Sequence, residues 1–240
     1  MNLIIDIGNS TAKFALFEKD GMVRHCIADN KTLDGLMCFA NAYQPDKAIL
    51  SSVIPLSREA QKQLAMLPCP VLHLTYRTPI PIANLYQTPE TLGMDRLAAV
   101  VAAHQNYPDN NVLVIDAGTC ITYDFIDKGG HFHGGNISPG LHMRLQALHH
   151  FTGKLPQVGE KGEVPTLGIS TETAIRSGVI NGIRFEMKGY IDELTKTYPD
   201  LTVLMTGGNA YGLDKYFDNI FPTDDWLVAK GLNYILDNNE

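Results

Sequence analysis

The chain has 240 residues, 45% of them hydrophobic, and a formal net charge of −7 at neutral pH. That length buries a core in one large domain or two small ones, and the acidic balance argues against sequence-independent nucleic-acid binding. Apolar runs are too short to span a membrane, and the opening Met1-Asn2-Leu3-Ile4-Ile5-Asp6 lacks the basic lead and apolar stretch of a signal peptide, so a soluble cytoplasmic protein is expected.

In chain order, the apolar runs predict strands at Leu3–Ile7, Lys13–Phe17, Met22–Ile27, Ala48–Val53 and Val71–Leu74. Helices are predicted at Leu33–Tyr43, Ser57–Met66 and Met94–Asn106, the last with Leu97, Val100, Val101 and His104 on one face. The polar cluster Asn106-Tyr107-Pro108-Asp109-Asn110-Asn111 reads as a boundary, giving units 1–110 and 111–240. Beyond it, strands are expected at Val112–Asp116, Ile121–Asp127 and Gly130–Gly134, then a helix with Ser138 as N-cap and Pro139 at its first position. A long helix from about Glu172 to Thr197 carries Ile175, Val179, Ile183 and Met187 on one face. A strand at Thr202–Thr206, a short helix near Ala210–Tyr216 and a closing helix at Asp225–Leu236 complete the chain.

One pattern occurs twice. Leu3-Ile4-Ile5-Asp6-Ile7-Gly8-Asn9-Ser10 and Leu113-Val114-Ile115-Asp116-Ala117-Gly118-Thr119 each run from apolar residues into Asp-x-Gly and a small polar residue, then into a second strand. Each copy reads as a hairpin with one carboxylate, backbone N–H groups and small side chains at its tip, the Gly adopting positive φ. Such a tip suits a magnesium-bound polyphosphate, because N–H groups hold anionic oxygens while the Asp binds hydrated metal. Strands followed by helices, twice over, give a duplicated α/β fold. Gly134-Gly135-Asn136-Ile137-Ser138-Pro139-Gly140 and Met205-Thr206-Gly207-Gly208-Asn209 read as strand-to-helix turns walling an adenosine slot.

Gly93-Met94-Asp95-Arg96 puts an acid and a base just before an apolar helix. Asp95 is either a first-turn acid favoured by the helix dipole or a carboxylate poised to take a proton from an alcohol. Arg96 is either solvent-exposed or a bidentate fork for a carboxylate or phosphate. Cys26, Cys38, Cys69 and Cys120 form no C-x-x-C pair, and His131 and His133 lack the further ligands of a zinc site. There is no P-loop and no hydrolase elbow.

The ordered set Asp6-x-Gly-Asn-Ser, Gly93-x-Asp-Arg96, Asp116-x-Gly-Thr119, Gly134-Gly-x-Ile-x-Pro-Gly140, Ser170-Thr171-x-x-Ala174-Ile175 and Thr206-Gly-Gly208 resembles type III pantothenate kinase over nearly the whole chain. The resemblance implies a duplicated actin-like ATPase (ribonuclease H-like) fold, with two half-domains flanking a nucleotide cleft. It implies ATP-dependent phosphorylation of the pantothenate 4′-hydroxyl, the first step to coenzyme A. It carries ATP binding onto Asp6, Ile7, Gly8, Asn9, Ser10, Thr11, Ala12, Lys13 and Thr119, with magnesium at Asp6. It carries the general base onto Asp95, and pantothenate contacts onto Tyr86, Gly93, Met94, Asp95, Arg96 and Thr171, with Thr173 as the rival of Thr171. A monovalent cation, potassium or ammonium, falls on Asp116, and a homodimer is implied, without nucleic acid or membrane. Cys120 stands where alanine or serine is more usual, and Met94 fills the variable position of Gly-x-Asp-Arg. A sugar or carboxylate kinase of the same superfold, and a non-enzymatic nucleotide-binding regulator, are the other readings.

Overall fold

The computed structural model describes residues 1–208 and 223–239. The expected short helix near residues 210–216 lies outside the described residues.

The first sheet holds β1 (Asn2–Ile7), β2 (Ala12–Glu18), β3 (Gly21–Ala28), β4 (Lys47–Ser52) and β5 (Val71–His73) in the order β3-β2-β1-β4-β5. β1 is central and almost wholly buried, which is why it reads as an unbroken apolar run rather than an alternation. It pairs antiparallel with β2, setting Asp6 opposite Lys13, and parallel with β4, setting Asp6 beside Ser51. The second sheet holds β6 (Ala83–Asn84), β7 (Val112–Ala117), β8 (Cys120–Ile126), β9 (His131–Pro139) and β10 (Thr202–Thr206) in the order β10-β7-β8-β9-β6. Reversed, four of its strands run β9-β8-β7-β10, the same path as β3-β2-β1-β4. β10 lies parallel to β7 with Thr206 beside Asp116, just as Ser51 lies beside Asp6. The repeat seen in sequence is a repeat of topology. Only the fifth strand differs: β5 lies outside β4, whereas β6 lies outside β9.

The helices are α1 (Leu36–Tyr43), α2 (Arg58–Ala65), α3 (Met94–Asn106), α4 (Leu141–His150), α5 (Thr171–Thr197) and α6 (Leu227–Asp237). α1 starts later than the expected Leu33, because Leu33 and Gly35 both take positive φ and make a turn ahead of it. α5 opens on a capping box in which Ser170 and Thr173 each hold the other's backbone N–H.

Two compact units result, one of residues 1–109, 126–134 and 226–240, the other of residues 110–125 and 135–225. The division at 109/110 falls in the polar cluster, but a single cut there does not describe the chain. α6 returns to the first unit because Ala229, Leu232, Ile235 and Leu236 complete a core with Ile4, Ala15, Phe17 and Ile49. The core of the second unit gathers Leu113, Ile115, Tyr123, Ile175, Val179, Ile183 and Met187.

α3 is buried all round from Arg96 to Ala103, beyond the single face expected, because small Ala98, Ala99, Ala102 and Ala103 let another helix come close. That helix is α6, where a Cβ on Gly231 would collide with the Ala98 carbonyl. Gly231→Ala should therefore destabilise the protein by about 1–3 kcal/mol, the usual weight of overpacking. Thermal denaturation checks this at about 2–4 °C per kcal/mol for a chain of this size. An unchanged melting temperature would mean that the crossing has slack.

Ser138 is not a helix cap. β9 continues through Pro139, Gly140 caps α4, and the Ser138 hydroxyl donates to Glu186 Oε1 at 2.5 Å. The same carboxylate accepts from Tyr123 OH and Arg144 Nη2, each at 2.7 Å. Burial alone would raise the Glu186 pKa, but the bonds from Ser138, Arg144 and Tyr123 outweigh it and hold it low. This network ties β8, β9, α4 and α5 together.

Candidate active site

In the first unit, the β1–β2 turn spans residues 8–11 and is closed by Gly8 N–H donating to the Thr11 carbonyl at 2.9 Å. Neither Gly8 nor Gly118 takes the expected positive φ. Gly8 is favoured instead by close approach, since a Cβ there would sit 3.3 Å from the Thr11 oxygen. Asn9, Ser10 and Thr11 are exposed at the tip, and Asp6 is half-buried behind them with its Oδ1 shielded from solvent. Buried Asn30 donates from one amide to the carbonyls of Gly8 and Asn9, at 2.9 and 2.8 Å, and so fixes the loop. Lys13 lies over the ring of Trp226 at 5.3 Å. A carboxylate with hard oxygen donors at a turn suits magnesium, which takes one or two protein carboxylates and completes its shell with phosphate and water.

α3 begins at the second cluster. Gly93 is its N-cap, and a Cβ there would lie 2.5 Å from Asp95 Oδ1, so only glycine leaves the carboxylate its place. Asp95 Oδ1 accepts the Arg96 N–H at 2.8 Å. Burial raises the Asp95 pKa, outweighing the lowering by that hydrogen bond and by the Arg96 charge. The helix-end argument pointed the other way, toward a carboxylate simply kept ionised; desolvation dominates. A carboxylate with raised pKa is the stronger base once ionised. Arg96 is 6% exposed, and its guanidinium lies 5.6 Å from the centroid of the Tyr86 ring. Tyr86 stacks on fully buried Phe132 with rings only 6° from parallel, and Gly134 packs against its edge. The guanidinium therefore lies beside a stacked pair of rings, Tyr86 on Phe132.

In the second unit, β7 and β8 join through Gly118-Thr119, a turn two residues shorter than its counterpart, with Gly118 N–H donating to the Cys120 carbonyl at 2.9 Å. Both glycine-rich stretches converge on this hairpin. Gly140 N–H donates to the Thr119 carbonyl at 3.1 Å, and a Cβ on Gly140 would collide with that oxygen. Gly207, at φ +94°, packs closely against the hairpin: a Cβ there would collide with Asp116 Oδ1 and come within 2.7 Å of the Ala117 carbonyl oxygen. The Asp116 carboxylate and the Ala117 carbonyl oxygen are donors of the kind a hard cation takes. Thr171 is exposed at the start of α5, whereas the Thr173 hydroxyl accepts from the N–H groups of Ile169 and Ser170 at 3.1 and 3.0 Å.

A family model described as type III pantothenate kinase matches residues 2–193. A protein of Phocaeicola vulgatus named type III pantothenate kinase is 55% identical over 240 residues, covering 100% of this chain and 99% of that one. The chain belongs to the type III pantothenate kinase family. It is thus a kinase, and its fold is the duplicated actin-like ATPase fold. Among solved structures, a Baf-family protein of Campylobacter jejuni superposes with a TM-score of 0.64 at 24% identity, covering 99% of this chain and 98% of that one. The ADPNP-bound activator of the 2-hydroxyisocaproyl-CoA dehydratase from Clostridium difficile gives 0.52 at 11% identity, covering 98% and 94%. At these identities the two structures speak for the fold alone.

Within this pantothenate kinase family member, Asp6 through Lys13 form one hairpin, and Tyr86 lies with Gly93, Asp95 and Arg96 in one cluster. Asp116 and Thr119 flank Gly118 in the second hairpin. Met94 is half-buried in the first turn of α3, packed against the core that α6 completes. Asn30, Phe132 and Trp226, which belong to none of the sequence motifs, touch Gly8 and Asn9, Tyr86 and Lys13 respectively. The one signal the sequence offers for Trp226 is that it is the single tryptophan.

Proposed function

We propose that the protein transfers the γ-phosphoryl group of ATP to the 4′-hydroxyl of pantothenate, giving 4′-phosphopantothenate in the first step of coenzyme A biosynthesis. The observation that carries this reading is the full-length 55% identity to a type III pantothenate kinase. The raised Asp95 pKa and the Tyr86–Arg96 stack are what such a reaction needs. Asp95 accepts the hydroxyl proton as the oxygen attacks phosphorus, and Arg96 holds the pantothenate carboxylate against Tyr86. Gly93 and Met94 line the approach, and Thr171 donates from its exposed position. Asp6 through Lys13 bind ATP, with N–H and hydroxyl donors on the phosphates and Lys13 adding positive charge; Thr119 adds a further hydroxyl. Magnesium, anchored by Asp6, supplies charge neutralisation on the phosphates when bound. Phosphoryl transfer is mainly alignment and charge compensation, so these residues suffice in kind. A coupled assay with ATP, magnesium and potassium tests the reading by offering pantothenate against sugars and acetate. Turnover of a sugar or acetate in preference to pantothenate would overturn it.

Asp116 holds potassium or ammonium in this reading, supported by the carboxylate and the Ala117 carbonyl oxygen that lie close together at this hairpin. A bound monovalent cation relieves the repulsion between Asp116 and the phosphates. Activity should be low in sodium or tris buffers and rise on adding potassium or ammonium, with Asp116→Asn blunting the rise. Equal rates in potassium-free buffer would remove the cation from Asp116.

The protein works as a cytoplasmic homodimer in this reading. The second unit exposes Phe151, Leu167, Ile169 and Phe185, with Ile169 96% exposed, and this apolar surface is what supports the homodimer reading. Sedimentation should give a dimer that Phe185→Glu shifts toward monomer. A wild-type monomer at micromolar concentration would refute it.

A further inference from the structure

We infer that Trp226 is a positioning residue that holds the Lys13 ammonium at the β1–β2 hairpin. The inference rests on the reading that this hairpin binds ATP. Lysine is a compact charge on a flexible four-carbon stem, so its use at a phosphate site depends on what restricts the stem. On β2, Lys13 pairs with Asp6, and the ladder continues through Ala15 and Ile4, which pack in the buried core with Ala229 and Leu232 of α6. Asp6 and Lys13 therefore share the sheet face on which α6 lies, because residues two apart on a strand point the same way. Trp226 is the N-cap of α6 and so reaches the hairpin end of that face.

The indole is itself fixed. The imidazole of His25, on β3, packs against it at 4.4 Å between centroids and 44° between planes, and the ring joins the partly buried rim of the core. Lys13 Nζ lies 5.3 Å from the indole centroid, within the range where a ring quadrupole attracts a cation. Tryptophan offers the strongest such face. The contact spans 213 positions of sequence and joins the last described helix to the first hairpin. Its effect is to narrow the positions open to the Lys13 charge before nucleotide arrives, lowering the entropy lost when the phosphates are gripped.

The test compares Trp226→Leu, Trp226→Phe, Lys13→Met and the Lys13→Met/Trp226→Leu double variant in the intact enzyme, each with a melting curve. Trp226→Leu should raise the KM for ATP about two- to fivefold, the weight of a cation–π contact at a partly exposed site. Its kcat at saturating ATP and its KM for pantothenate should stay at wild-type values, and Trp226→Phe should recover part of the loss. The double variant should be no worse than Lys13→Met alone, because the ring acts only through that lysine. The emission of the single tryptophan should change on adding magnesium-ATP and respond less in Lys13→Met. Additive losses in the double variant, an unchanged KM for ATP in Trp226→Leu, or equal rises in both KM values would overturn the inference. Should Trp226→Leu fold poorly, Trp226→Phe against wild type reads the same KM split at smaller size. If Lys13→Met leaves the KM for ATP unchanged, the hairpin reading fails and the inference with it. If Lys13→Met raises it and Trp226→Leu does not, only the inference fails.

Discussion

Asp95→Asn should lower kcat by at least about 10²-fold, the lower end of what general-base removal costs. The amide keeps the shape of the carboxylate and still accepts the Arg96 N–H through Oδ1, so the start of α3 is preserved. What it loses is the capacity to take the hydroxyl proton. Two further readouts separate a base from a residue that merely shapes a helix end. Burial raises the Asp95 pKa, so the wild-type rate should fall with decreasing pH at a midpoint above the ordinary aspartate value of about 3.9, and this limb should be missing from the variant. The sign of the stability effect follows from the same shift. A carboxyl group with a raised folded-state pKa binds its proton more tightly in the native state, so stability falls as pH rises from the unfolded to the folded pKa. At neutral pH the ionised group is a net cost, and Asp95→Asn should melt no lower than wild type. Loss of turnover with retained stability is the mark of a group kept for chemistry. A variant that keeps most of its kcat would return Asp95 to a structural role.

The legible parts of this chain were those whose causes are local. Met94–Asn106 was predicted to the residue, since a helix bounded by Gly93 and a polar turn cluster carries both ends in its own sequence. The strand pair around each Asp-x-Gly was legible because the pattern repeats. The duplication of topology followed from that repeat, down to Asp6 and Asp116 taking equivalent places in their sheets. What escaped depended on partners distant in sequence. Asn30 looks like any loop asparagine until it meets the Gly8 and Asn9 carbonyls. Gly231 looks like a weak point in an apolar helix until Ala98 is seen to need the space. The return of α6 to the first unit is of the same kind: its apolar face announces burial but not against what. The run Gly134–Gly140 misled for a different reason. Successive glycines signal a turn, but here Gly135 is small because β9 presses against the Tyr123 backbone, and the strand continues. Its last glycine does reach a hairpin tip, through the bond of Gly140 to Thr119.

Asp6→Asn should reduce the apparent affinity for magnesium-ATP by about ten- to a hundredfold, with the loss appearing in magnesium dependence before it appears in pantothenate dependence. The argument starts from the ladder. Asp6 stands opposite Lys13 near the end of a strand fixed on both sides by hydrogen-bonded neighbours, so its carboxylate is delivered to the hairpin by rigid backbone. Magnesium demands near-octahedral geometry and releases its waters reluctantly, so a single well-placed carboxylate acts mainly by charge and by hydrogen bonds to the hydrated ion. The asparagine variant keeps the shape and one oxygen acceptor but removes the charge, which isolates that contribution. Its effect is distinct from that of Asp116→Asn, which should alter the response to potassium and leave magnesium dependence near wild type. Titrating magnesium at fixed ATP, then ATP at saturating magnesium, separates anchoring of the metal from direct phosphate contact. Rescue at high magnesium with near-normal kcat is the expected result, since the phosphates can still recruit the ion. An unchanged magnesium curve would place the metal on other oxygens and leave Asp6 to act on Lys13, its partner across the ladder.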